Sequence, residues 1–202
     1  MDPREAAATI TASTAGRLYD ANYDKSITEA VRLCKDLCFD YNNTRPTDLT
    51  TRDALLTRIV GSRPHYATVV SPFWCDYGKN IHLGENFYAN HGLVILDAAP
   101  VHFGHDVYLG PNVVITTAGH PLDTCRRNQG LEYALPITVG DNVWIGANVT
   151  LCPGVTIGCD VVIGAGSVVT RDIESGVVAV GSPCRTLRKI GPDDAAKTMF
   201  RK

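Results

Sequence analysis

The sequence predicts an all-β parallel β-helix capped at its N-terminal end by α-helices. Three observations carry this expectation. A six-residue pattern (aliphatic, small, two turn residues, small aliphatic, variable) recurs from Leu83 to Ser167. Of 18 glycines, 16 lie from Gly78 onward. The first 60 residues hold 17 of the 40 charged residues and one glycine, Gly16. The chain is therefore two kinds of sequence joined together, with expected bounds of 1–62 for the cap, 63–184 for the coil and 185–202 for a C-terminal tail with a short helix.

The cap reads as helix. A short helix is expected near residues 3–10. Ser26-Ile-Thr-Glu29 has the form of a capping box, in which a hydroxyl caps the first turn and a carboxylate reaches back. Ile27, Ala30, Cys34, Leu37, Cys38 and Tyr41 then fall on one helical face, and Asn42-Asn43 with Pro46 end it. A further helix is expected after Thr50, with Asp53 in its first turn, ending at Gly61. Such short amphipathic helices need a surface to pack on.

The coil follows from the repeat. Leu83-Gly-Glu-Asn-Phe87, Phe103-Gly-His-Asp-Val107, Val139-Gly-Asp-Asn-Val143 and Ile157-Gly-Cys-Asp-Val161 are four of its units. Self-similarity at a short fixed period signals a solenoid. Six extended residues make a short flat strand with a corner, and three such units close a triangular coil. Glycine and asparagine suit the corners because they tolerate unusual backbone angles. Two interruptions stand out. Two residues are inserted around Asp97-Ala-Ala-Pro100, and Gly119–Pro136 has no repeat pattern, so it reads as a loop thrown out from the coil. Long loops in compact domains are usually functional or disordered, and this one opens with a histidine.

Composition narrows the function. The net charge of -2 and pI near 6.3 leave no basic footprint for nucleic acid. No run of 18 apolar residues suggests a membrane span, and the N-terminus lacks the pattern of a secretory signal, so a cytoplasmic location is expected. Seven cysteines read as reduced, mostly buried thiols. Cys34 and Cys38 stand four apart, which is not a metal-finger spacing, and no metal is expected.

Seven segments together resemble the maltose/galactoside O-acetyltransferase family, which also includes nodulation acetyltransferases. They are Leu18-Tyr19-Asp20, Cys75-Asp-Tyr-Gly-Lys-Asn-Ile-His-Leu-Gly84, Asn86-Phe-Tyr-Ala-Asn90, Gly119-His-Pro121, Pro136-Ile-Thr-Val-Gly140, Asn142-Val-Trp-Ile-Gly146 and Gly181-Ser-Pro-Cys-Arg185. The resemblance implies a left-handed parallel β-helix and transfer of acetyl from acetyl-CoA to a sugar hydroxyl by direct transfer. It implies His120 as general base, oriented by Glu132, and the backbone amide of Ala147 as oxyanion donor, where some members carry serine. It places the acceptor against Asp20, Asp76 and Asn90; some relatives have serine at the position of Asp76. It lays the cofactor along Trp144, Ala147, Ala165, Thr170, Arg171, Arg185 and Arg188. It also implies a homotrimer with its sites between subunits. The residue chemistry agrees. An imidazole can take a hydroxyl proton during attack, carboxylates and amides offer paired hydrogen-bond sites to vicinal hydroxyls, and arginines pair with phosphate. Three other readings stay open at this level: an antibiotic or amino acid as acceptor, a scaffold without catalysis, and a carbonic-anhydrase-like metal enzyme that would use His82, His102, His105 and His120.

Overall fold

The computed structural model describes residues 2–13 and 16–196, with the side chains of 9–13 and 196 excepted. It is a parallel β-solenoid of about six turns with helices at its N-terminal end. Helix α1 (Pro3–Ser13) opens with proline at its first position, where the missing N–H would have had no partner. A two-residue strand, β1 (Tyr19–Asp20), follows.

Helix α2 (Lys25–Asn43) starts earlier than the sequence suggests. Its cap is Asp24, whose carboxylate accepts from the amides of Ser26 at 2.8 Å and Ile27 at 3.4 Å. Ser26 donates its hydroxyl to that same carboxylate, and Glu29 pairs with Arg32 at 2.7 Å instead of reaching back. The expected capping box is thus replaced by a single acidic cap, the stronger acceptor. Helix α3 (Leu49–Ile59) likewise begins at an aspartate, Asp48, and Asp53 pairs with Arg63 instead of serving the first turn.

Three faces make the coil. The first holds β4 (Ile81–His82), β7 (Val101–Phe103), β12 (Ile137–Val139) and β15 (Thr156–Ile157). The second holds β2 (Ala67–Val69), β5 (Phe87–Ala89), β8 (Tyr108–Leu109), β13 (Trp144–Ile145), β16 (Val162–Ile163) and β18 (Val177–Val180). The third holds β3 (Phe73–Cys75), β6 (Leu93–Leu96), β9 (Val114–Thr116), β14 (Thr150–Leu151) and β17 (Val168–Val169). The chain visits the faces in rotation, so every coil has three edges. Trp144 pairs with Val162, 18 residues on, whereas Tyr88 pairs with Tyr108, 20 residues on. The two extra residues are the insertion foreseen around Asp97. His102 pairs with Thr138, 36 residues on, where a plain coil would need 18. The segment after β9 therefore adds one coil's length of chain without adding a coil.

Inside, buried side chains stack from coil to coil: Ile81, Val101 and Ile137 form one column on the first face, all under 2% exposed. The cap shares this core. Leu37, Tyr41, Leu56 and Ile59 pack in one cluster with the coil interior, so the helices close its open end. As expected, glycines and asparagines take unusual backbone angles at corners: Gly92 and Gly154 have φ of 80° and 82°, and Asn86 and Asn142, with Asp106 and Asp160, have φ of 56–57°. The glycine two residues before each of these last four is there for space: a Cβ on Gly84 would lie 2.1 Å from the Gly104 carbonyl oxygen.

The expected loop is a built hairpin. Strand β10 (Ala118–Gly119) pairs antiparallel with β11 (Leu131–Ala134), which also pairs with β1. Helix α4 (Thr124–Asn128), capped by Asp123, fills the turn. The C-terminal segment also differs from a simple tail helix. Strand β19 (Arg185–Lys189) folds back antiparallel on β18 before the short α5 (Pro192–Ala196). Of the tail's basic residues, Lys197, Arg201 and Lys202 lie outside the described residues. Among the described residues no helix is long and apolar enough to cross a membrane.

Candidate active site

The hairpin leaves the coil at the edge between the third and first faces. That is the edge where Asp76 follows β3 and Asp97 follows β6. His120 sits just past β10. Gly119 before it makes room for an aromatic ring, since a Cβ there would lie 2.6 Å from Tyr133. The His120 ring is half exposed, and its Nδ1 lies 3.1 Å from the Leu131 carbonyl oxygen. A carbonyl can only accept, so Nδ1 carries the proton and a neutral ring keeps its lone pair on Nε2. Glu132 was expected to orient the ring. The geometry gives the tautomer to the Leu131 carbonyl and puts Glu132 Oε1 3.7 Å from Nε2, beyond a hydrogen bond but close enough to face an imidazolium charge.

Glu132 is itself held from the cap, by the Tyr19 hydroxyl at 3.2 Å. Tyr19 has its own proton held tightly, first by burial and then by the Glu132 charge. The motif Leu18-Tyr19-Asp20 was legible, but the role of its tyrosine was not, because its partner lies 113 residues away. Asp20 takes a turn role: its Oδ1 accepts from the amides of Asn22 at 3.2 Å and Tyr23 at 2.8 Å. Asp76 is the most perturbed of the candidate residues. Burial pushes its carboxyl up to about 6; Lys35 pulls the other way, and Glu132 adds to the rise.

This shift has a stability consequence. The folded-state value lies above the ordinary 3.8, so Asp76 favours the fold below that pH. The contribution is lost as pH rises through about 6. Wild type should lose about 1–3 kcal/mol relative to Asp76→Asn between those limits. Urea midpoints of both proteins across this range measure it; a pH-independent difference would refute the assignment.

The remaining candidates do not gather here. Asn90 follows β5, at the edge between the second and third faces, and its Oδ1 accepts from the His91 amide at 2.7 Å. Ala147 and Ala165 follow β13 and β16 at that same edge. Among the described residues nothing accepts the Ala147 amide proton. Neighbouring glycines keep this edge bare: a Cβ on Gly110 would lie 2.7 Å from the Ala147 nitrogen, and one on Gly146 would lie 2.6 Å from that of Ala165. Trp144 stands outward on the second face, 49% exposed, in a column with Tyr88 and Tyr108. Thr170 and Arg171 follow β17, exposed, at the His120 edge. Arg185 and Arg188 lie on β19. Arg185 donates to the Cys184 carbonyl at 2.6 Å, and Arg188 is held in a fork by Asp194 at 2.7 and 2.9 Å. Within one chain the candidates thus form two half-sites on different edges.

The histidine arrangement of a metal enzyme does not form. His102 stacks on His82, with ring centroids 4.6 Å apart, while His120 is carried away on the hairpin. Among the described residues the only three metal-capable side chains that converge are Cys34, Cys38 and Cys75.

Comparison with known proteins agrees with this architecture. Residues 14–63 match the maltose acetyltransferase hexapeptide capping motif, and residues 136–171 match the bacterial transferase hexapeptide of six repeats. A Saccharomyces cerevisiae protein is 51% identical over 187 residues, covering 93% of this chain and 95% of its own. The galactoside O-acetyltransferase of Escherichia coli K12 is 44% identical over 160 residues, 79% of each chain. Among solved structures, a maltose O-acetyltransferase from Clostridium difficile 630 superposes with a TM-score of 0.87 at 45% identity, covering 92% of this chain and 97% of that one. A galactoside acetyltransferase in complex with coenzyme A superposes at 0.89 with 39% identity, covering 96% and 95%. With the cap and the late coils matched by family models and solved structures covering 92–96% of its length, the chain belongs to the maltose/galactoside O-acetyltransferase family of hexapeptide-repeat acetyltransferases.

Proposed function

We propose that this acetyltransferase moves acetyl from acetyl-CoA to a hydroxyl of a maltose-, glucose- or galactoside-type sugar, with His120 as the general base. The observation that carries the reading is the His120 ring, its Nδ1–H held by the Leu131 carbonyl and its Nε2 turned toward Glu132. The acceptor hydroxyl gives its proton to Nε2 as its oxygen attacks the thioester carbonyl. The new imidazolium faces Glu132, and the tetrahedral oxyanion is met by the Ala147 amide. The carbon–sulfur bond then breaks, and the departing thiolate takes the proton back from His120. The products are the acetylated sugar and coenzyme A. Asp20, Asp76 and Glu132 line the acceptor side with carboxyl groups, which suits a neutral polyhydroxyl compound and repels an anionic one. Trp144, Ala165, Thr170, Arg171, Arg185 and Arg188 hold the cofactor, the arginines on its phosphates. Arg188 must exchange Asp194 for phosphate to do so. An assay with acetyl-CoA and a panel of sugars tests the acceptor class; coenzyme A binding with no sugar acetylated would refute it.

The split of candidates between two edges supports a homotrimer in which His120 of one subunit meets Asn90 and Ala147 of the next. A mixing experiment tests this. His120→Ala and Asn90→Ala subunits, each weakly active alone, should regain activity when unfolded together and refolded, because some mixed interfaces hold both intact halves. No gain over the separate variants, or an active monomer in sedimentation, would refute the arrangement.

A further inference from the structure

The buried junction between cap and coil holds a group of side chains that acetyl transfer does not use. Cys34 and Cys38 lie one turn apart on α2, and Cys75 ends β3. The Cys75 sulfur is 3.5 Å from that of Cys34 and 3.7 Å from that of Cys38, and all three lie within 4.8 Å of one another. All three residues are buried, at 0–2% exposure. The frame around them is fixed. The Asn42 amide bonds both the N–H and the carbonyl of Phe73, at 2.8 and 2.9 Å, and the Tyr41 hydroxyl donates to the Val69 carbonyl. These bonds hold α2 against β3.

Arg4 adds an independent observation. Its residue is 5% exposed. Its Nε and Nη2 serve Asp2, and Nη2 also serves the Arg58 carbonyl, but Nη1 is buried with no acceptor among the described residues. A buried guanidinium N–H without a partner costs free energy, and the Arg4 charge acts on Cys38 and Cys34.

We propose that Cys34, Cys38 and Cys75 form a zinc site that clamps the helical cap to the first coil, with Arg4 Nη1 donating to the bound thiolates. Three sulfurs around zinc at about 2.3 Å stand about 3.8 Å apart in a tetrahedral arrangement, close to the separations already present. Soft thiolates select this ion over hard cations. Binding replaces three S–H protons by three Zn–S bonds and releases the protons. The resulting three-thiolate centre carries one negative charge, which Arg4 faces. The fourth position goes to an exogenous ligand. The sequence expectation of no metal rested on the spacing of Cys34 and Cys38 alone, and the third ligand comes from another element.

The test is metal binding by the whole chain, stripped with chelator under reducing conditions. Cobalt(II) should bind at one equivalent per chain with thiolate charge-transfer bands, be displaced by zinc, and raise the melting temperature. Cys75→Ser and Cys34→Ser should lose this binding, and Cys125→Ser, an exposed thiol on the hairpin, should keep it. X-ray absorption of zinc-loaded wild type does not depend on any variant folding, and it should show three sulfur neighbours at about 2.3 Å. Stoichiometry unchanged by the substitutions, or a zinc shell of nitrogen and oxygen alone, would overturn the site.

Discussion

His120→Ala is expected to lower kcat for sugar acetylation about 10²–10⁴-fold, the usual contribution of a positioned base, while the KM for acetyl-CoA stays near that of wild type. The expectation rests on geometry. The ring is fixed by one bond, from Nδ1 to the Leu131 carbonyl. That bond leaves Nε2 as the basic nitrogen, and Glu132 lies 3.7 Å from it, ready to face the charge once the proton arrives. Alanine removes the base and leaves the hairpin pairing of β10 with β11 in place. A loss in kcat alone would therefore mark chemistry, and an equal rise in both KM values would mark a collapsed hairpin. Steady-state kinetics with both substrates varied separate the two. Retention of wild-type turnover would sink the general-base assignment.

The largest expected effect on stability belongs to Asp97. This carboxyl is wholly buried. Its Oδ1 accepts from the amides of Asp76 at 3.0 Å and Tyr77 at 2.9 Å, and its Oδ2 from that of Asn80 at 3.4 Å. Burial raises its proton affinity and the amides oppose that rise. Asp97→Ala strands at least two buried N–H groups, each costing about 1–3 kcal/mol, so a loss of about 2–6 kcal/mol in urea unfolding is expected. Asp97→Asn keeps an acceptor and should lose less. The same corner presents Asp76, so Asp97→Ala should also raise the acceptor KM more than that of acetyl-CoA. A loss below about 1 kcal/mol, well under the cost of two stranded groups, or equal losses for the two variants, would refute this account.

What the sequence made legible follows the range of the interactions involved. The coil was readable because each unit repeats within six residues and each inward aliphatic stacks on its equivalent one coil away. The insertion at Asp97 showed as a break in step, and the structure returns it as the 20-residue spacing of Tyr88 and Tyr108. The capping box failed for a local reason: Asp24, two residues upstream, offers a better acceptor than Ser26. The hairpin was missed because β11 is stabilised by β1, and Tyr19 and Glu132 carry no shared pattern. The Leu131 carbonyl could not be foreseen at all, since a backbone oxygen has no sequence signature. Cys75 was invisible as a partner for the same nonlocal reason, 37 residues from Cys38.

The hairpin has one further consequence. Its ends are joined by a bond from the Leu135 amide to the Thr117 carbonyl at 2.9 Å, and the strands that flank it resume their register after 36 residues, two coils' worth. An insert of this kind is a cassette. Its strands lie outside the three stacked faces of the coil, so its sequence can change without changing that stack. The scaffold and the chemistry are thereby free to diverge at different rates.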